Sequence, residues 1–179
     1  FSPIHIIFFE LIMAPTCSII YENEPMEENA MLLPPRPFTT TFFKYKELAT
    51  SIMQGLAITI GALFTYQYAV WQGQDEAGTR TLVFTTLIMA NVLLTLVNRS
   101  FYYSIITTAK YKNNLVLLII GITMVLSGVI IFVAPVADLF KFIRLPCPQI
   151  AVSSMVGFLS VIWYELVKWR KRRIGASTQ

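Results

Sequence analysis

The sequence consists of long apolar stretches separated by shorter polar segments. Each stretch has about the 20 residues that an α-helix needs to cross the hydrocarbon core of a membrane. Charged residues are rare inside the stretches and concentrate between them. The pattern therefore predicts an all-α fold, a polytopic membrane bundle with five transmembrane helices. We place these helices at residues 4–21, 48–71, 81–97, 115–133 and 150–167.

The composition agrees with a membrane location. Of the 179 residues, 55% are hydrophobic and 13% are charged, a more apolar balance than that of typical soluble domains. The formal net charge of +4 comes mainly from residues 168–179, the segment after the last stretch. No soluble face carries the interleaved basic and aromatic residues that are typical of nucleic-acid-binding proteins. We expect residues 1–179 to form a single transmembrane domain whose partner is the lipid bilayer and not a nucleic acid.

The basic residues predict an orientation. Three alternate segments, residues 22–47, 98–114 and 168–179, carry 11 of the 14 Lys and Arg residues. Because Lys and Arg collect on the cytoplasmic side of membrane helices, we expect a cytoplasmic C-terminal tail and an N-terminus outside. The start at Phe1 has no charged signal region, so we expect a piece of a longer protein. A plasma membrane of the bacterial type is the location that we expect.

The first predicted helix contains an acidic residue. Glu10 lies inside the apolar run from His5 to Ile20, and Pro15 follows five residues later. A carboxylate at bilayer depth costs a few kcal/mol and is by default a functional-site hypothesis. Proline has no N–H and clashes with the carbonyl of Leu11, which predicts helix unwinding that frees backbone oxygens for an ion. Glu10 is the candidate ion or metal ligand, and a protonated structural Glu is the alternative.

Other polar residues in the apolar stretches allow more than one interpretation. Asn91, in the third helix, either hydrogen-bonds to another helix or presents its amide oxygen to a cation, and it is our second, weaker ligand candidate. His5, the one histidine, is expected to be hydrated at the membrane interface. Glu165 and Lys168 are three residues apart near the end of the fifth helix, so we expect an ion pair between them.

Several motifs in order resemble those of a known family. Residues 10–15, Glu-Leu-Ile-Met-Ala-Pro, occupy the place of an Asn-Leu-x-x-Asp-Gly motif, and Met31 with Pro34-Pro35-Arg36 is similar to the motif that ends the following loop. Residues 86–93 are similar to that family's eighth membrane helix, and Val133-Ala134-Pro135 with Phe140-Lys141 resembles the outer end of its ninth. The chain thus resembles the sixth to tenth membrane helices of P-type cation ATPases, close to the calcium-pump branch.

The resemblance implies ATP-driven transport of a cation. It places the phosphorylated Asp, the nucleotide domain with its ATP and Mg²⁺, and the first five helices upstream of this sequence. The transported cation, those upstream helices and the cytoplasmic domains are then the partners of this chain. No catalytic residue is expected within it.

Two positions depart from the family's pattern. The ligating Asp of the sixth helix falls at Ala14, and the ligating Glu of the eighth falls at Ile88. Because hard cations need several oxygen ligands, these losses argue against a two-calcium site. Glu10 and Asn91 then remain as the candidate ligands. The candidate transported ion is one divalent cation, sodium or a proton. A non-enzymatic membrane scaffold that shares the helical pattern is the alternative from a different functional class.

Overall fold

The computed structural model describes residues 3–25, 45–100, 103–108 and 113–176. Within these ranges the protein is all-helical, as predicted. The helices are α1 (Pro3–Glu22), α2 (Tyr45–Trp71), α3 (Glu76–Val97), α4 (Ile105–Thr108), α5 (Asn114–Phe132), α6 (Ala134–Phe140) and α7 (Cys147–Ala176). The loop motif with Met31 and Pro34-Pro35-Arg36 lies outside the described residues.

Four of the five predicted membrane helices lie inside one of these helices, and the fourth, residues 115–133, extends one residue beyond α5. Some helices are longer than predicted. α3 begins at Glu76 and not at residue 81, because the side chain of Asp75 caps it and accepts a hydrogen bond from the N–H of Gly78 at 2.8 Å. α7 continues to Ala176, nine residues beyond the predicted end at residue 167. Capping and good helix-forming residues set these ends, whereas hydropathy marks only the apolar part.

Four helices are long and apolar enough to cross a membrane, at Leu48–Trp71, Glu76–Val97, Asn114–Phe132 and Cys147–Arg170. These segments correspond to the second to fifth predicted membrane helices. The first predicted one coincides with α1, which has 20 residues. Its passage through the membrane, and with it the orientation of the chain, stays a prediction.

α3 lies at the centre of the bundle. The apolar, membrane-length part of α3 is 61% buried inside the bundle. The corresponding parts of the other three candidate membrane helices are 28% buried or less. α2 and α7 pack against α3 and against each other, whereas α1 and α5 pack together and reach α3 through Phe84. This arrangement makes α3 the common support for both helix pairs.

The helices alternate in direction. Near their C-termini, the Tyr21 hydroxyl of α1 donates to the Thr95 carbonyl of α3 at 3.4 Å, and Lys168 of α7 binds the Val97 carbonyl. We call this end of the bundle the tail end. The opposite end holds the α2–α3 turn and α6, and there Arg80 donates to the Lys141 carbonyl at 3.1 Å. We call it the loop end.

α3 and α7 approach each other closely at Gly157. A Cβ atom at this residue would lie 2.7 Å from the carbonyl oxygen of Thr86 and 3.1 Å from the backbone nitrogen of Ala90. Nearby, the Thr86 hydroxyl lies 3.2 Å from the Ser153 carbonyl and 3.0 Å from the Thr65 hydroxyl. A small residue and interhelical hydroxyl contacts together join three helices, as in many membrane bundles.

We therefore expect Gly157→Ala to destabilise the bundle. The added methyl group meets backbone atoms that cannot rotate away, and such overpacking typically costs about 1–3 kcal/mol. The measurement is the midpoint of thermal unfolding in detergent. Gly121→Ala on α5 is the matched control, because a Cβ there would meet nothing within 4 Å. Equal midpoints for both variants would contradict this account of the α3–α7 contact.

Candidate ion site and the contacts that support it

Glu10 lies on an exposed apolar face of α1. Its neighbours Ile6 and Leu11 are 60% and 70% exposed. On the other side of the helix, the ring of Phe9 lies 4.9 Å from that of Phe84 on α3. α1 therefore packs on the bundle through aromatic side chains and directs its carboxylate away from them.

An exposed carboxylate within an apolar face needs a polar partner if that face lies in a membrane. The partner can be a cation, a proton or a polar group on another helix. Among the described residues, no group of three or more His, Cys, Asp and Glu side chains is arranged to hold a metal ion. A cation at Glu10 would therefore need further oxygen ligands other than such side chains, for example backbone carbonyls or amide oxygens.

The backbone of α1 is helical through Pro15, from Pro3 to Glu22. Pro15 has no N–H to offer to the carbonyl of Leu11, so that oxygen lacks its usual intrahelical donor. Unwinding of the helix at Pro15 stays a prediction.

Asn91 lies on a partly exposed side of α3. Its side-chain Nδ2 donates to the backbone carbonyl of Leu87 at 2.9 Å, and the backbone carbonyl of Asn91 accepts from the hydroxyl of Thr95 at 3.0 Å. With the amide nitrogen directed along its own helix, the side-chain oxygen is the group that can accept from a partner or bind a cation. No hydrogen bond joins Asn91 to Glu10 in the described part of the chain.

Ile88 belongs to the apolar core of the bundle. It is buried and clusters with Phe84, Val92 and residues of α5 and α6. The position at which the resemblance would place a ligating Glu therefore packs against hydrocarbon side chains in this protein. A carboxylate there would lack polar neighbours from this cluster.

His5 is fully buried at the loop end, so the expectation of a hydrated interfacial histidine is wrong. Its Nε2 lies 2.9 Å from the carbonyl oxygen of Phe140. Its ring lies among those of Phe84, Phe140 and Phe142, with centroids 5.1–6.3 Å away. These aromatic residues come from α3 and the α6 region, so the sequence around His5 gives no sign of them.

The predicted ion pair between Glu165 and Lys168 is confirmed, with Nζ 2.8 Å from Oε1. Lys168 is only 1% exposed, and its Nζ also donates to the carbonyls of Val97 at 2.5 Å and Tyr103 at 3.3 Å. Val97 is the last residue of α3, so the ammonium group satisfies a helix C-terminus and complements its dipole. The sequence indicated the local pair but not this longer-range contact.

A second charged contact at the tail end was not predicted. Nε and Nη2 of Arg99 donate to the carboxylate of Glu24 at 2.8–3.2 Å, and both oxygens accept. Nδ2 of Asn113 donates to Glu24 Oε2 at 3.1 Å and to the Ile20 carbonyl at 3.3 Å. We call Glu24, Arg99 and Asn113 the Glu24 clamp. It joins the segment after α1 to the segments after α3 and before α5.

Comparison with known proteins agrees with the membrane fold. Residues 1–170 match the family described as "Cation transporting ATPase, C-terminus". Calcium-transporting ATPase 1 of Schizosaccharomyces pombe (strain 972) is 20% identical over 153 residues, which are 85% of this chain and 17% of that protein. The chain thus spans less than a fifth of the length of that relative. The resemblance seen in the sequence is confirmed, and the chain belongs to the family of C-terminal membrane regions of P-type cation-transporting ATPases.

Proposed function

We propose that this chain is the ion-site half of the membrane domain of an ATP-driven cation pump, and that Glu10 is one of the ion ligands. The observation that carries the proposal is the carboxylate of Glu10 within an exposed apolar face of α1. Membership of the family supports it. In the full pump, upstream helices would cover this face and supply further oxygen ligands.

The proposal includes five membrane crossings, with the tail end of the bundle in the cytoplasm. The excess of Lys and Arg near that end supports this orientation. ATP, Mg²⁺ and the phosphorylated Asp would act in domains of the pump beyond this chain. The role of this part is to bind the cation and to support the helix that carries Glu10.

The available ligands favour a cargo of low charge or a single divalent cation. Ile88 is buried in an apolar cluster, so α3 offers the amide of Asn91 and not a carboxylate at this level. Hard divalent cations take six or more oxygens, which makes two calcium ions a poor fit. A lone carboxylate also suits a proton, and this is the second candidate cargo.

The test is ATP-dependent flux in sealed membrane vesicles that contain the full-length protein. Calcium, manganese, magnesium, sodium, potassium and a pH gradient are followed separately. Accumulation of one ion that stops when ATP is withheld supports the pump. Vesicles that accumulate none of them, although the protein is folded, would favour the non-enzymatic scaffold.

Asn91→Ala is expected to cause a smaller defect than loss of Glu10. The substitution removes one neutral amide oxygen, and such a contact is worth about 1 kcal/mol, or roughly a 3- to 10-fold change in affinity. The measurement is the ion concentration that gives half-maximal phosphorylation. Asn114→Ala, at the exposed start of α5, is the matched control. If both variants keep the wild-type ion dependence, Asn91 is not a ligand.

A further inference from the structure

The two ends of α1 are held by polar contacts, and apolar contacts hold the part that follows His5. There Phe8 and Phe9 pack against Phe84. The hydrophobic part of such contacts is not directional, so they restrict the rotation of α1 and its position along its axis less than hydrogen-bonded contacts of defined geometry do.

The Glu24 clamp has such a geometry. Both carboxylate oxygens of Glu24 accept from the planar guanidinium of Arg99, and one of them also accepts from Asn113. A bidentate ion pair of this kind restricts the relative orientation of the two side chains as well as the distance between them. The Asn113 amide also binds the Ile20 carbonyl in the last turns of α1. The clamp therefore holds the end of the helix and the segment after it.

Little solvent reaches the charged pair. The side chain of Arg99 is 4% exposed and that of Glu24 is 13% exposed. Water cannot readily replace either partner, so removal of the Glu24 charge leaves a buried guanidinium without its counter-ion. The contact therefore resists displacement of the end of α1.

In this structure α1 is one continuous helix from Glu10 through Pro15 to Glu22, so a displacement of its end also displaces Glu10. Glu10 precedes the last residue of α1, Glu22, by 12 residues, which is about 18 Å along the axis. A slip of one residue in register would move Glu10 by about 1.5 Å and turn it by about 100°. That displacement would remove its carboxylate from any fixed set of ion ligands.

We propose that Glu24 is a positioning residue of the ion site: through Arg99 and Asn113 it sets the register of α1, and thereby the place at which Glu10 is presented. The inference rests on the proposed function of Glu10 as a ligand. We do not assign Glu24 as an ion ligand, because its carboxylate already accepts from Arg99 and Asn113.

The experiment uses the full-length protein in native membranes and measures phosphorylation from ATP as a function of ion concentration. Glu24→Gln is expected to raise the ion concentration for half-maximal phosphorylation at least 10-fold, while the maximal level per folded protein is retained. Arg99→Lys should also raise this ion concentration, because the ammonium group keeps the charge but cannot form the bidentate contact. Glu22→Gln is the matched control, since Glu22 is exposed two residues away, and should cause no shift.

Rescue separates positioning from a general loss of structure. Glu24→Arg combined with Arg99→Glu restores an ion pair and should return the ion dependence towards that of the wild type. Size-exclusion profiles in detergent establish which variants fold. If Glu24→Gln does not fold, Glu24→Asp takes its place, because it keeps the charge and withdraws the carboxylate by one methylene.

The outcomes distinguish this proposal from the one on which it rests. A wild-type ion response with an unshifted half-maximal concentration in the folded Glu24 variant overturns the positioning role alone. A lower maximum at an unchanged half-maximal concentration also overturns it, because that result indicates loss of active protein. Wild-type membranes without ion-stimulated phosphorylation overturn the proposed function and this role with it.

Discussion

Glu10→Gln is expected to abolish ion-stimulated phosphorylation and ion transport in the full-length protein. The substitution keeps the size of the side chain and one acceptor oxygen but removes the negative charge that a bound cation or proton requires. The other carboxylate of α1, Glu22, lies about 18 Å further along the helix axis, so it cannot replace Glu10. We expect a loss of at least 100-fold in ion-stimulated activity.

The measurement compares phosphorylation and ATP-dependent flux in membranes with equal amounts of folded protein. Glu22→Gln is the matched control, because it makes the same chemical change at an exposed residue of the same helix, and it should behave like the wild type. Full ion-dependent activity of the Glu10→Gln protein would exclude Glu10 as a ligand. The protonated structural Glu would then be the better explanation of an acid at this position.

Lys168→Met is expected to cause the largest loss of stability among the tail-end variants. It keeps most of the side-chain volume but removes the cation that pairs with Glu165 and the ammonium donor that binds the Val97 and Tyr103 carbonyls. Removal of one partner of a buried pair typically costs about 3–5 kcal/mol. The thermal unfolding midpoint in detergent should fall well below that of the wild type.

Two further variants test the reason for this loss. Arg170→Met changes an exposed cation on the same helix and should leave the midpoint nearly unchanged. Lys168→Met combined with Glu165→Leu removes both charges and should recover part of the loss, since no unpaired charge remains. A midpoint for Lys168→Met equal to that of Arg170→Met would contradict the role of Lys168 at the end of α3.

The helices could be predicted because each depends on residues that are near one another in sequence. Apolar runs of membrane length located all five long helices, and their ends differ from prediction where capping decides, as at Asp75. The contacts at the two ends of the bundle could not be predicted in this way. Arg99 meets Glu24 across 75 positions of sequence, and His5 meets Phe140 across 135.

The candidate site was predictable in part. The cost of a carboxylate in an apolar helix pointed to Glu10, and the structure places it on the exposed side of α1, away from the core. The hydration of His5 was predicted wrongly, because a polar side chain near a helix end can be satisfied by a backbone carbonyl as well as by water. That Glu10 and Asn91 bind the same ion stays a proposal.

The most direct measurement is the formation of a phosphoenzyme from ATP by the full-length protein in membranes, screened across calcium, manganese, magnesium, sodium, potassium and pH, with Glu10→Gln in parallel. We predict that one ion changes the phosphoenzyme level in the wild type and that Glu10→Gln removes this response. A phosphoenzyme that no ion affects, or none under any condition, would contradict the proposal that this chain forms part of the ion site of a cation pump.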